Sequence, residues 1–191
     1  MGISNIAAIA KGQFNADYED VVNDCIADVC KSVVTMSDKK IGALIVFERD
    51  TKLGDIANTG TLINADASYE MIGNIFFPKS PLHDGGMLIR EGRIYAAGCI
   101  LPLTANNDLN SQLGTRHRAA IGMSENSDAV VVVVSEETGV ISVALNGNIT
   151  RDYNSVTLRD LLIRELITDD NKPKNRIGSV WDKSIKIFKR K

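Results

Sequence analysis

A chain of 191 residues is long enough for one domain with a proper core, and 44% hydrophobic with 24% charged residues is the balance of a soluble globular protein. A net charge of −2 excludes a chain that binds nucleic acid by its overall charge. The longest apolar run, residues 129–134, falls far short of the ~18 needed to span a bilayer, and three cysteines without metal-ligand spacing make no disulfide framework. No charged start leads into an apolar core, so no signal peptide is expected and the expected location is the cytoplasm.

Tyr18, Val21, Val22, Cys25, Ile26, Val29, Cys30, Val33 and Val34 recur at helical spacing. They predict an amphipathic helix over 17–34, with one face and two free thiols turned to a core. Residues 41–47, IGALIVF, read as a buried strand. A helix follows over 68–76 with Ser68 as its cap, and Pro78 and Pro81 stop it and force an extended approach to His83-Asp84. Residues 87–101 break at Arg90-Glu91-Gly92-Arg93 into two strands, and residues 129–145 repeat the design, turning at 136–139. Between these hairpins 115–124 read as a short helix, and 155–167 as a last amphipathic one. The sum is an α/β (α+β) fold: a single globular domain with a mixed central β-sheet built largely from hairpins and surrounded by helices.

Charge is uneven along the chain. Residues 172–191 hold eight Lys/Arg against one acid, which leaves 14 bases and 23 acids, a net −9, for the rest. Such a tail is either solvated or touches an anionic membrane or nucleic acid.

Both histidines of the chain fall in short polar motifs. In His83-Asp84-Gly85-Gly86 the Asp before two glycines makes a common turn. It also follows a His, so two metal-capable groups adjoin, and the glycines let a ligand come close. The stretch leads straight into a strand, a rigid platform for a site. Thr115-Arg116-His117-Arg118 opens a helix after Gly114. Free N–H groups, the helix dipole, two guanidiniums and a hydroxyl then point at one place, which suits phosphate. The plain alternative, a solvated basic turn, must contend with Ala119, Ala120, Ile121 and Met123, which anchor it. Ser135-Glu136-Glu137 ends a very apolar strand. Two acids there can hold a divalent cation against a phosphate, although alone they read as a polar turn. There is no Walker-type loop, no Ser-His-Asp order and no Cys-His pair. The inventory suits metal-assisted phosphoryl or nucleotidyl transfer.

From about residue 41 to 152 the chain resembles the diadenylate cyclase family, whose members condense two ATP into cyclic di-AMP and two pyrophosphates. The resemblance rests on PLHDGG (81–86), AAGCILPL (96–103), LGTRHRAAIG (113–122), SDAVVVVVSEETGVISVALNG (127–147) and Arg151-Asp152. It is strongest to the branch whose catalytic domain follows transmembrane helices. That implies a linker over 1–14, a catalytic domain over 15–170 and a basic tail over 171–191, in a full-length protein held at the membrane.

The resemblance also implies roles. Asp84 would assist the attacking 3′-hydroxyl and, with His83 and Glu137, lie beside a divalent metal ion, Mn²⁺, Mg²⁺ or Co²⁺. Gly85 and the Leu101 backbone would flank adenine. Thr115, Arg116, His117, Arg118 and Ser135 would hold the phosphates, with Arg116 and Arg118 joining Asp84 in catalysis. Because one chain carries one copy of each motif, catalysis would need a homodimer with its sites face to face. The family's Asp-Gly-Ala reads Asp84-Gly85-Gly86 here, which loosens the backbone by roughly 0.5–1 kcal/mol. Many members carry an aromatic where this chain has Ile100, which weakens base stacking. The alternative is a non-catalytic sensor of an adenine nucleotide, which would need no carboxylate at the hydroxyl. Nucleic acid is not an expected partner, since the tail lacks interleaved aromatics beyond Trp181 and Phe188.

Overall fold

Strand β1 (Ala43–Phe47) is buried along its whole length and forms the axis of the molecule. In this computed structural model, which describes residues 3–106 and 114–167, it pairs in parallel with β3 (Gly86–Arg90), Ile45 opposite Met87. On its other side it pairs antiparallel with β5 (Val130–Val134), Ile45 opposite Val132. Strands apolar throughout, such as ALIVF and VVVVV, are those buried on both faces. The remaining strands, β2 (Thr61–Asp66), β4 (Arg93–Cys99), β6 (Ile141–Leu145) and β7 (Asn148–Arg151), extend a seven-stranded sheet in the order β2-β4-β3-β1-β5-β6-β7. Every pair except β1–β3 is antiparallel. The β3–β4 turn places Glu91 and Gly92 at φ of 52° and 73°, and the β6–β7 turn places Asn146 and Gly147 at 50° and 75°. Two successive positive φ values make the tight hairpin turn that matches strand twist.

Side chains alternate across the sheet. Ala43, Ile45 and Phe47 join one cluster with Ile26, Val29 and Val33 of helix α1 (Ile3–Asp38), Ile72 of α3 (Tyr69–Ile75) and Leu158 and Leu162 of α5 (Ser155–Leu166). Leu44 and Val46 join the other, with Ala57 of α2 (Gly54–Ala57) and Ala119, Ala120 and Met123 of α4 (Thr115–Glu125). Ser68 caps α3 by accepting from the Met71 N–H, as expected, and Asn154 closes a capping box at α5.

The mixed sheet of hairpins among helices is thus present, and it differs from the sequence reading at four elements, α1, α2, β2 and β7. Helix α1 begins at Ile3, so the segment expected as a linker is helical from there. The strands β2 and β7 and the short α2 were not anticipated. Both strands lie at sheet edges and are largely exposed, so they carry little alternation to read. No described helix is long and apolar enough to cross a membrane. The expected basic tail, 171–191, lies outside the described residues.

This topology gathers the motifs. With β3 parallel to β1 and β4 and β5 antiparallel to them, the starts of β1 and β3 and the ends of β4 and β5 lie at one edge of the sheet.

Candidate active site

At that edge lies an open cleft of about 610 Å³, the size of a small-molecule site. His83, Asp84 and Gly85 reach it from before β3, Ile100, Leu101 and Leu103 from after β4, Gly114–His117 from the start of α4, and Ser135, Glu136 and Glu137 from after β5. Segments more than 50 residues apart in sequence therefore share one cleft.

The Asp84 side is built on close backbone approach. Gly85 has φ +115°, and a Cβ there would sit 2.7 Å from the Gly98 carbonyl carbon and 2.8 Å from the Cys99 oxygen. Only glycine brings Asp84 this near β4. The Nδ1–H of His83 donates to the Ser80 carbonyl at 2.6 Å. A carbonyl only accepts, so the proton sits on Nδ1 and the Nε2 lone pair stays available. Just beyond Cys99 the Ile100 N–H donates to Thr59 Oγ1 at 2.9 Å, and that hydroxyl donates to the Ile56 carbonyl at 2.6 Å. The α2–β2 turn thereby fixes the backbone leading to Leu101.

The α4 side is arranged for an anion. The Gly114 carbonyl accepts from the His117 and Arg118 amides, so the amides of the first turn before them have no intrahelical partner. Helix α4 is locked to the Leu101–Thr104 segment. The Thr104 N–H donates to the Arg118 carbonyl, and the Thr104 hydroxyl donates to Glu125 at 2.7 Å. Arg116 Nη1 donates to Glu136 Oε2 at 2.6 Å. Its guanidinium lies against Gly42, where a Cβ would fall 2.5 Å from Nη1. The turn carrying Glu136 and Glu137 is itself fastened: Ser135 Oγ accepts from the Thr138 N–H, and Ser37 Oγ of α1 donates to the Gly139 carbonyl at 2.6 Å.

His117 is buried, and its Nε2 has no partner among the described residues. Burial pushes its pKa below the ordinary value, the Arg151 charge adds to that, and Glu137 opposes it, so the imidazole is neutral at pH 7. Of the residues expected in the site, only Arg118 does not line the cleft; it is exposed, and its backbone carbonyl serves the Thr104 link. Gly42 and Thr59 were not assigned roles from the sequence, and Glu136, read there as one of two acids for a cation, is instead paired with Arg116. For Gly42 the one signal was a glycine inside an otherwise apolar strand motif.

Among the described residues no three His, Cys, Asp or Glu side chains close on one point. The His83 Nε2 lone pair and the carboxylates of Asp84 and Glu137 nevertheless face the same cleft. They fit as a partial set of imidazole and oxygen donors that phosphate and water oxygens would complete.

Residues 30–149 match the family model described as DAC, DisA bacterial checkpoint controller nucleotide-binding. The chain is 43% identical over 161 residues to the cyclic di-AMP synthase CdaA of Bacillus subtilis, covering 82% of this chain and 59% of the relative. It is 44% identical over 169 residues to the diadenylate cyclase of Listeria monocytogenes, covering 88% and 62%. This chain therefore spans about three fifths of those relatives' length. Among solved structures it is similar to DacA from Staphylococcus aureus, with TM-score 0.74, 44% identity, and coverage of 75% of this chain and 96% of that one. It is also similar to a hypothetical membrane spanning protein from Bacillus cereus, with TM-score 0.63, 46% identity, and coverage of 65% and 61%.

Proposed function

The chain belongs to the diadenylate cyclase family, and from that premise we propose that it condenses two ATP into cyclic di-AMP and two pyrophosphates. One observation carries the reading: a single cleft collects the Asp84 carboxylate, the uncapped start of α4 with Arg116, and the Ser135–Glu137 turn.

Each ATP 3′-hydroxyl attacks the α-phosphorus of the other ATP. The new bond is 3′-oxygen to phosphorus, the bond to the pyrophosphate oxygen breaks, and the hydroxyl proton leaves. Asp84, an exposed carboxylate at the cleft, receives or orients that proton. The amides at the start of α4, the Thr115 hydroxyl, the Arg116 guanidinium and Ser135 hold the phosphates against their mutual repulsion. Leu101 and the Gly85 backbone flank the adenine. His83 Nε2, Asp84 and Glu137 would hold a divalent ion, Mn²⁺, Mg²⁺ or Co²⁺, which neutralises phosphate charge when bound. Positioning is the main catalytic resource for such a transfer. The active unit is a homodimer with its two clefts face to face. The domain works in the cytoplasm as part of a longer, membrane-tethered protein. Similarity to a protein described as membrane spanning supports that placement.

The test is incubation with ATP and each metal, followed by chromatography of the products. Wild type is expected to yield cyclic di-AMP and pyrophosphate. Asp84→Asn is expected to bind ATP but yield neither, because its amide cannot take the proton. Binding without turnover in wild type as well would leave a nucleotide sensor instead.

A further inference from the structure

Three acids line the cleft, Asp84, Glu136 and Glu137, and Arg116 is the one Lys or Arg among its described lining residues. A polyanionic nucleotide therefore meets an acidic cleft whose guanidinium is already occupied by Glu136, Nη1 to Oε2 at 2.6 Å. The two partners differ in burial. The Arg116 side chain is 22% exposed and seated against Gly42, whereas Glu136 is 63% exposed on the β5–β6 turn. The arginine is held in place by the fold, and the acid can swing into solvent without breaking any other described side-chain bond.

We propose that Glu136 is a displaceable counter-ion: it occupies Arg116 in the empty cleft, and a nucleotide phosphate takes its place on the same guanidinium. The proposal rests on the nucleotide-binding reading of this cleft and adds a residue that tunes it. Glu136 competes directly with phosphate, so it weakens free nucleotide and favours nucleotide whose charge a cation has already reduced. An exposed ion pair has a modest strength, so the competition is expected to be modest as well.

The experiment measures ATP and adenosine affinity by calorimetry, in chelator and without metal, for wild type, Glu136→Gln, Arg116→Ala and the double variant. Glutamine keeps the shape and an acceptor oxygen but removes the charge. Glu136→Gln is expected to tighten ATP about three- to ten-fold and to leave adenosine unchanged. In the Arg116→Ala background that gain is expected to vanish, because no guanidinium is left to release. Equal gains in both backgrounds would reduce Glu136 to a general repulsive charge and overturn the proposal. Weaker ATP binding in Glu136→Gln would overturn it too, by making Glu136 a fixed support for Arg116. If wild type holds ATP no better than adenosine, with or without metal, the phosphate-binding reading itself fails.

Discussion

Position 86 separates what a backbone tolerates from what it requires. Gly85 beside it has φ +115° and backbone atoms of β4 within 3.0 Å of a would-be Cβ, so no other residue fits. At Gly86 φ is ordinary, and a Cβ would meet only the flexible end of Leu101, at 3.2 Å from Cδ1 and 3.4 Å from Cγ. The alanine of the family pattern is therefore admissible here. Gly86→Ala is expected to raise unfolding stability by about 0.5–1 kcal/mol, through a stiffer unfolded chain and a new contact, with turnover retained. Urea unfolding measures it, and a lower midpoint would mean that Leu101 cannot give way. The same comparison shows why Asp84 was legible in the sequence and Gly42 was not. A carboxylate next to a His and two glycines is a local signal. The glycine that seats Arg116 is understood only once residues 42 and 116 are seen side by side.

Among the elements, α4 and the segment after β4 behave as one piece. At Gly122, in the middle of α4, a Cβ would lie 2.5 Å from the Thr104 nitrogen and 2.6 Å from the Leu103 carbonyl carbon. Neither atom can move without moving the wall of the cleft. Gly122→Ala is expected to lower stability by about 1–3 kcal/mol, although alanine is the better helix former. On the proposed reading it is also expected to weaken ATP, because it parts the α4 wall of the cleft from the Leu101–Leu103 wall. Gly73 in α3 is the control: it has nothing within 4 Å, so Gly73→Ala is expected to gain up to about 1 kcal/mol from helix propensity alone. Thermal unfolding of the two variants side by side decides the matter, and a stabilised Gly122→Ala would refute the locked arrangement. Elements with a strong apolar period were legible in advance, as the hairpins β3–β4 and β5–β6 and the helices α3, α4 and α5 show. Strand β2, with Thr61, Leu62, Asn64 and Asp66 exposed and a bulge in its pairing, has no strong apolar period in its sequence. Its existence depends on β4 offering an edge, which is a tertiary fact.

At the scale of the whole molecule, one chain provides one copy of each motif, while on the proposed reading the product joins two nucleotides through two equivalent bonds. On that reading a lone chain would present one ATP and have nothing for its 3′-hydroxyl to attack. Two clefts related by a two-fold axis would supply both nucleophiles and both α-phosphates in one encounter. The rim is consistent with being covered: Ile100 is 70% exposed and Leu103 52% exposed beside the cleft, an apolar surface that an isolated chain leaves in water. Specific activity is therefore expected to rise with protein concentration and to level off once pairs saturate, whereas ATP binding per chain stays constant on dilution. A charge on the rim, as in Leu103→Asp, is expected to shift the rise to higher concentration and to leave the plateau near the wild-type value, because the new carboxylate opposes association and not chemistry. Sedimentation at the same concentrations links activity to mass. Activity per chain that stays flat on dilution, while sedimentation reports only monomers, would rule out two facing clefts as the catalytic unit.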